Sequence, residues 1–299
     1  MSIADRPSHV TATAPTTSYD EALQRFARLR ALDTAEIRPG AESQLRTHGE
    51  RTAKSVVLLH GFTNCPIQYE RLGEELFARG WNVVVPRFPG HGRADRDPAP
   101  LGRVEAGAFL ATAFDAFDLA CGLGERTSVL GISSGGAIAA RLAFERAELA
   151  RAVCIAPLFG LLALPHVVDV LLALVMPGFP NVDIPWDPSG KNDEIPSYSY
   201  LKFPTRALGR LLGIGLDVAG TLGVPLGGEA VVVTNDRDPA VSNALAEAAG
   251  LRWNRRRPGF STFYRFTDLP ENHDIIDPND ARQRTELVYP VLLDLLERP

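Results

Sequence analysis

The chain has 299 residues, enough for one large α/β domain with an insertion or for two smaller domains. Its composition, 45% hydrophobic and 22% charged, is that of a soluble globular protein, and a net charge of -5 argues against a nucleic-acid partner. Cys65, Cys121 and Cys154 are too scattered for a thiolate metal site and too odd in number for a disulfide framework, so a reducing, cytoplasmic setting is expected.

In chain order, residues 1–18 are polar and rich in Thr, Pro and Ala, and read as a disordered tail; no basic start with an apolar core is present to suggest secretion. Tyr19 to Leu32 reads as a short helix. Apolar runs of strand length follow at 55–60, 81–86, 127–131, 151–157, 229–235 and 262–268. Their β-branched residues do not alternate with polar ones, as expected of parallel strands covered on both faces.

Between these runs the spacing is helical. Tyr69, Leu72 and Leu76 recur one turn apart before Gly80, and Leu110, Phe114 and Phe117 do likewise, with Asp115 and Asp118 expected to face outward. Strand, crossover helix, strand is the repeating unit, which predicts a doubly wound, mostly parallel sheet. The core is expected over 19–157 and 229–299. The alternation lapses over 158–228, a Leu-rich stretch and a turn-rich stretch followed by a second apolar run, and this reads as a helical cap inserted before the penultimate strand. Its most apolar segment is interrupted by Pro165 and Asp169, which argues against a bilayer span. The basic cluster at Arg252 and Arg255–Arg257 reads as a solvated helix end.

Gly131-Ile132-Ser133-Ser134-Gly135 matches G-x-S-x-G, a weak signal alone. Here an apolar strand precedes it and a helical pattern follows, the setting in which a serine sits exposed on a strained turn between small residues. By register Ser133 is the nucleophile, and Ser134 offers its backbone N–H. A serine hydroxyl needs a base, and His273 stands just after the last expected strand. The imidazole needs a carboxylate, and "TNDRDPAV" offers Asp236 and Asp238; Asp238, at the loop crest, is favoured, with Asp236 as the alternative. Gly61 lets the loop after the first strong strand turn, so that the Phe62 and Ser134 amides could receive an oxyanion. His60 and His91, at strand ends, read as residues that hold loops.

Together, "VVLLHGFTNCP", "VVVPRFPGHG", "VLGISSGG", "VVVTNDRDPAV" and "LPENHDIID" resemble the α/β-hydrolase superfamily over residues 50–299, and within it the capped carboxylesterase and monoacylglycerol-lipase-like group. Asn235 departs from the glycine that often begins the family's acid loop, and the first 50 residues have no counterpart. The resemblance implies hydrolysis of small-molecule carboxylic esters through an acyl-enzyme, with no metal or organic cofactor. Other readings are a peptidase or amidase, for which Asp183, Asp187, Asp193 or Glu194 would hold a substrate ammonium, an acyltransferase, and a non-catalytic ligand-binding protein. The Leu-rich cap suggests an apolar acyl or alcohol part, and leaves contact with a lipid surface open.

Overall fold

The computed structural model describes residues 14–162, 164–190, 195–220 and 222–298. Its strands are β1 (Gln44–Arg46), β2 (Thr52–Leu59), β3 (Trp81–Val85), β4 (Gly124–Ile132), β5 (Leu149–Ile155), β6 (Asp183–Pro185), β7 (Lys202–Pro204), β8 (Glu229–Asn235) and β9 (Ser261–Phe266). The helices are α1 (Tyr19–Arg30), α2 (Glu70–Ala78), α3 (Ala106–Ala120), α4 (Ser134–Glu145), α5 (His166–Val175), α6 (Thr205–Gly220), α7 (Asn243–Arg256) and α8 (Thr285–Glu297). Seven strands form one sheet in the order β1-β3-β2-β4-β5-β8-β9, parallel except for β1. The expected doubly wound α/β architecture is therefore present. Short, half-buried β1 carries no apolar run, which is why the sequence pattern misses it.

The centres of β2, β3, β4, β5 and β8 are buried on both faces, as their unbroken Val, Leu and Ile runs require. From β2 the chain steps outward to β3, then crosses back to β4 on the other side of β2. Such a reversal leaves a crevice beyond the carboxyl ends of the two diverging strands, where open α/β sheets bind ligands. Here those ends carry His60-Gly61-Phe62 and Ser133.

The stretch 158–228 holds α5, the small β6–β7 ribbon and α6. Asp169 on α5 is fully buried and accepts the Leu161 N–H at 3.2 Å. The outer row of α5, Val167, Leu171 and Leu174, is exposed, as are Phe179 and Val182 beyond it. Among the described residues no helix is long and apolar enough to cross a membrane.

Three expectations are corrected. The tail was expected to run to residue 18; residues 1–13 lie outside the described residues, but Thr16 is buried, its hydroxyl donating to the Asp118 and Leu119 carbonyls at 3.0 and 2.9 Å. Ser18 then caps α1 by accepting the Glu21 N–H, so the chain is already docked at these positions. Asp118 does not face outward: it is fully buried and takes both Nε and Nη2 of Arg146, at 2.7 and 2.9 Å. The helical period marks it as polar but carries no sign of the arginine beyond α4 that follows it inward. The basic cluster is not simply solvated, since Arg252 and Arg256 donate to the Ala219 and Gly220 carbonyls at 2.6 and 2.9 Å, capping the end of α6.

The buried and half-exposed acids of α3 give a direct comparison. Asp118→Ala, which strands Arg146, is expected to lower the unfolding free energy by about 3–5 kcal/mol in urea titrations. Asp115→Ala, whose partner Arg25 is nearer solvent, should cost less than about 1 kcal/mol. Equal losses would contradict this placement of the two side chains.

Candidate active site

Ser133 sits between β4 and α4 at φ 57° and ψ -117°, a strained conformation for a residue with a Cβ. Its N–H donates to Ile155 O at 2.9 Å, and its carbonyl accepts from Ala137 and Leu158 at 3.0 Å each. These bonds hold the strained turn from three directions. Two glycines make the turn possible. A Cβ on Gly131 would lie 2.2 Å from Gly135 O, and one on Gly135 would lie 2.1 Å from Leu59 O. Any larger residue would push α4 off the sheet.

His273 Nδ1 and Asp238 Oδ2 are 2.7 Å apart, with the Asp238 side chain fully enclosed and a quarter of the His273 side chain exposed. Asp238 Oδ1 accepts the Ala240 and Val241 N–H groups at 2.8 and 3.0 Å, which leaves Oδ2 for the imidazole. An aspartate oxygen at Nδ1 fixes the tautomer with Nε2 free to accept a proton. Burial alone would lower the His273 pKa, but the charge and hydrogen bond of Asp238, with Asp274 adding to them, outweigh it and raise the value above that of ordinary imidazole. Asp236 points elsewhere, half-exposed and paired with Arg265 at 3.3 Å.

Ser133, His273, Gly61 and Phe62 line one cavity of about 770 Å³. Among the described residues neither the Phe62 nor the Ser134 amide is taken up by a backbone acceptor, whereas the neighbouring Gly61 amide is bound to Gln68 Oε1 at 2.9 Å. Leu158, Leu161, Phe203 and Leu208 give the cavity an apolar wall, and Asn64, Ser199, Asn272 and Asp274 give it a polar end. Trp186 on the loop after β6 closes over Phe62, the ring centroids 6.1 Å apart, and its indole N–H donates to Thr63 Oγ1 at 2.9 Å.

His60 and His91 are buried and hold loops. His60 Nε2 accepts the Phe88 N–H at 3.0 Å while Nδ1 meets Gly61 O, and burial, with the neighbouring His91, pushes its pKa well down. Burial likewise pushes the His91 pKa down to about 4. Both therefore stay neutral. Of the acids considered for a substrate ammonium, Asp187 lines the cavity, Asp183 accepts from Asn181 Nδ2 at 2.7 Å, and Asp193 and Glu194 lie outside the described residues. Among the described residues no cluster of His, Cys, Asp and Glu is arranged to hold a metal ion.

A family model described as the alpha/beta hydrolase family matches residues 56–286. The chain belongs to the alpha/beta hydrolase family. LipS and LipT, described as metagenome-derived lipolytic enzymes, supply one similar solved structure, with a TM-score of 0.67, 22% identity and coverage of 87% of this chain and 98% of that one. A monoacylglycerol lipase of Paleococcus ferrophilus has a TM-score of 0.66 at 17% identity, over 85% of this chain and 97% of that one. A soluble variant of the Saccharomyces cerevisiae monoglyceride lipase, in complex with a substrate analog, has a TM-score of 0.64 at 15% identity, over 98% of each chain. These likenesses concern the fold. ABHD14B of Rattus norvegicus, proposed to be a protein-lysine deacylase, is 34% identical over 96 residues, which is 31% of this chain and 42% of that protein.

The motif reading passes over the side chains that hold the loops in place. Asn235 is the plainest case, the residue noted above only as a departure from glycine. Fully buried, it donates through Nδ2 to the Pro270 and Asn272 carbonyls at 3.0 and 2.8 Å, and its Oδ1 accepts the Arg237 N–H. It joins the loop of Asp238 to the loop of His273. Asn235→Gly removes the donor from two carbonyls at once and is expected to lower stability by about 2 kcal/mol or more in urea titrations. A change under about 0.5 kcal/mol would show that these bonds do not hold the loops.

Proposed function

We propose that the protein is a serine hydrolase that cleaves carboxylic esters. The observation carrying this reading is the His273–Asp238 pair, held at 2.7 Å in the cavity that Ser133 also lines. In this reading Ser133 Oγ attacks the ester carbonyl, and His273 Nε2 takes its proton and returns it to the leaving alcohol. The acyl group passes to the serine, and water activated by the same imidazole releases it as the acid. Asp238 orients the imidazole and stabilises its charged form. The Phe62 and Ser134 amides receive the oxyanion, where the loss of one donor typically costs about 3 kcal/mol of barrier.

Leu158, Leu161, Phe203 and Leu208 suit an apolar acyl chain, and the polar end around Asn64 and Ser199 suits a hydroxylated alcohol, as in a monoacylglycerol-like ester. The lipolytic enzymes among the similar structures agree with that choice. The exposed row Val167, Leu171 and Leu174 on α5 would meet such an ester in emulsion. The likeness to ABHD14B keeps amide substrates as the second reading.

A panel of p-nitrophenyl esters of rising chain length, dissolved and emulsified, tests the proposal. Wild type should turn them over. Ser133→Ala and Asp238→Asn should lose about 10³-fold or more in kcat, while Asp236→Asn stays within about threefold. Leu171→Glu with Leu174→Glu should lose activity on emulsified esters alone. His273 works as a neutral base and its pKa is raised, so activity should be low under acid conditions and rise through a midpoint above about 6.5. No turnover of any ester, or equal losses from Asp236→Asn and Asp238→Asn, would overturn the reading.

A further inference from the structure

Gln68 lies in the short helical turn Pro66–Tyr69 after the loop that carries Phe62, and is 2% exposed. One face of its carboxamide accepts the Gly61 N–H through Oε1 at 2.9 Å; the other donates through Nε2 to Asp274 Oδ2 at 2.6 Å. Asn64 Nδ2 donates to the same carboxylate oxygen at 3.0 Å. Asp274 directly follows His273, and its Oδ1 accepts the Asp277 N–H at 3.3 Å. Gly61 in turn abuts the elbow. A Cβ placed on it would lie 3.7 Å from both Gln68 Nε2 and Ser133 Cβ.

We propose that Gln68 is a positioning residue that joins the oxyanion loop to the histidine loop, so that the oxyanion donor and the base keep a fixed separation across Ser133. The inference rests on the roles given to Phe62, Ser133 and His273 above. A carboxamide accepts from the Gly61 amide and donates to a carboxylate from one rigid plane. By holding the Gly61 N–H it fixes the peptide before the one that carries the Phe62 donor, whose own carbonyl, Gly61 O, is held by His60 Nδ1 and the Asn64 N–H. By holding Asp274 it restrains the residue that follows the base.

The surroundings of Asp274 make that second bond consequential. Burial and the Asp277 charge, with Asp280 adding, raise the pKa of its carboxyl, and the Gln68 bond works in the opposite direction. From the cap, Tyr198 donates its hydroxyl to both oxygens of Asp277 at 2.5 Å, and Asp187 and Arg282 line the same cavity. Without a donor at position 68, Asp274 would keep only the Asn64 side chain and the Asp277 amide as donors, and the His273 loop would lose its tie to the oxyanion loop.

The test uses the full chain, with Gln68→Met, which keeps the bulk and removes both bonds, and the pair Gln68→Glu with Asp274→Asn, which reverses the polarity of the bond between the two loops while setting the new amide beside the Asn64 donor. Hydrogen exchange and p-nitrophenyl ester kinetics are read on each. Gln68→Met should speed amide exchange in both 60–65 and 271–277 and lower kcat about 10-fold or more, with KM within about threefold. With the Asn64 bond still lost, the paired variant should restore protection in both loops in part and bring kcat about threefold or more above that of Gln68→Met. Exchange that changes in 60–65 alone, an unaltered kcat, or a paired variant no better than Gln68→Met would overturn the proposal. Should wild type turn over no ester, the hydrolase reading fails, and exchange in the two loops still decides for or against the bridge.

Discussion

Helix α4 begins with its backbone against the carbonyl of Leu59, and the geometry of the cavity follows from that contact. A Cβ on Gly135 would be 2.1 Å from that oxygen, so the approach is open to glycine alone. Because the helix starts this close to β2, the turn before it must reverse sharply. That reversal puts Ser133 at φ 57° and leaves the amide of Ser134, at the head of the helix, without a backbone acceptor among the described residues. The same contact places the elbow beside Gly61. One packing constraint therefore brings together a strained serine and two loops from opposite sides of the sheet reversal.

The remaining groups reach the cavity on loops, which need other means of restraint. The acid loop is held by Asp238 bonding its own Ala240 and Val241 amides, and is joined to the histidine loop by Asn235. The segment after β5 joins the same assembly: Leu162 N–H donates to Ala240 O at 2.9 Å, and Leu161 pairs with Val241 across an isolated bridge. Asp169 on α5 holds Leu161 in turn. A displacement of α5 would thus be felt at the loop that carries Asp238, through the Asp169 carboxylate and the backbone bonds beyond it.

How much of this was legible in the sequence depended on the range of the interaction. Strands β2, β3, β4, β5 and β8 announce themselves as apolar runs because burial on both faces demands it at their centres. The elbow is legible because sterics confine Gly131 and Gly135 to one residue type. The turn chemistry favours Asp238 over Asp236; in the structure Asp238 meets the His273 imidazole, and Asp236 pairs with Arg265. By contrast the helical period turns Asp118 outward, since its partner Arg146 lies 28 positions away and no periodicity reports it. Gln68, Asn64 and Asn235 escaped for the same reason. A buried carboxamide becomes meaningful only when its distant donors and acceptors are known, and none of those lies within one helical turn except in loops too irregular to have a period.

The central claim is that Ser133, activated by His273, is the group that takes up an acyl or phosphonyl substituent. Its most direct measurement is the mass-spectrometric mapping of a fluorophosphonate adduct after proteolysis, in wild type and in His273→Ala. The account predicts a single adduct on Ser133 in wild type, formed more slowly by about 10³-fold or more when the imidazole is absent. An adduct on Ser134, or labelling of Ser133 at an unchanged rate without His273, would contradict it.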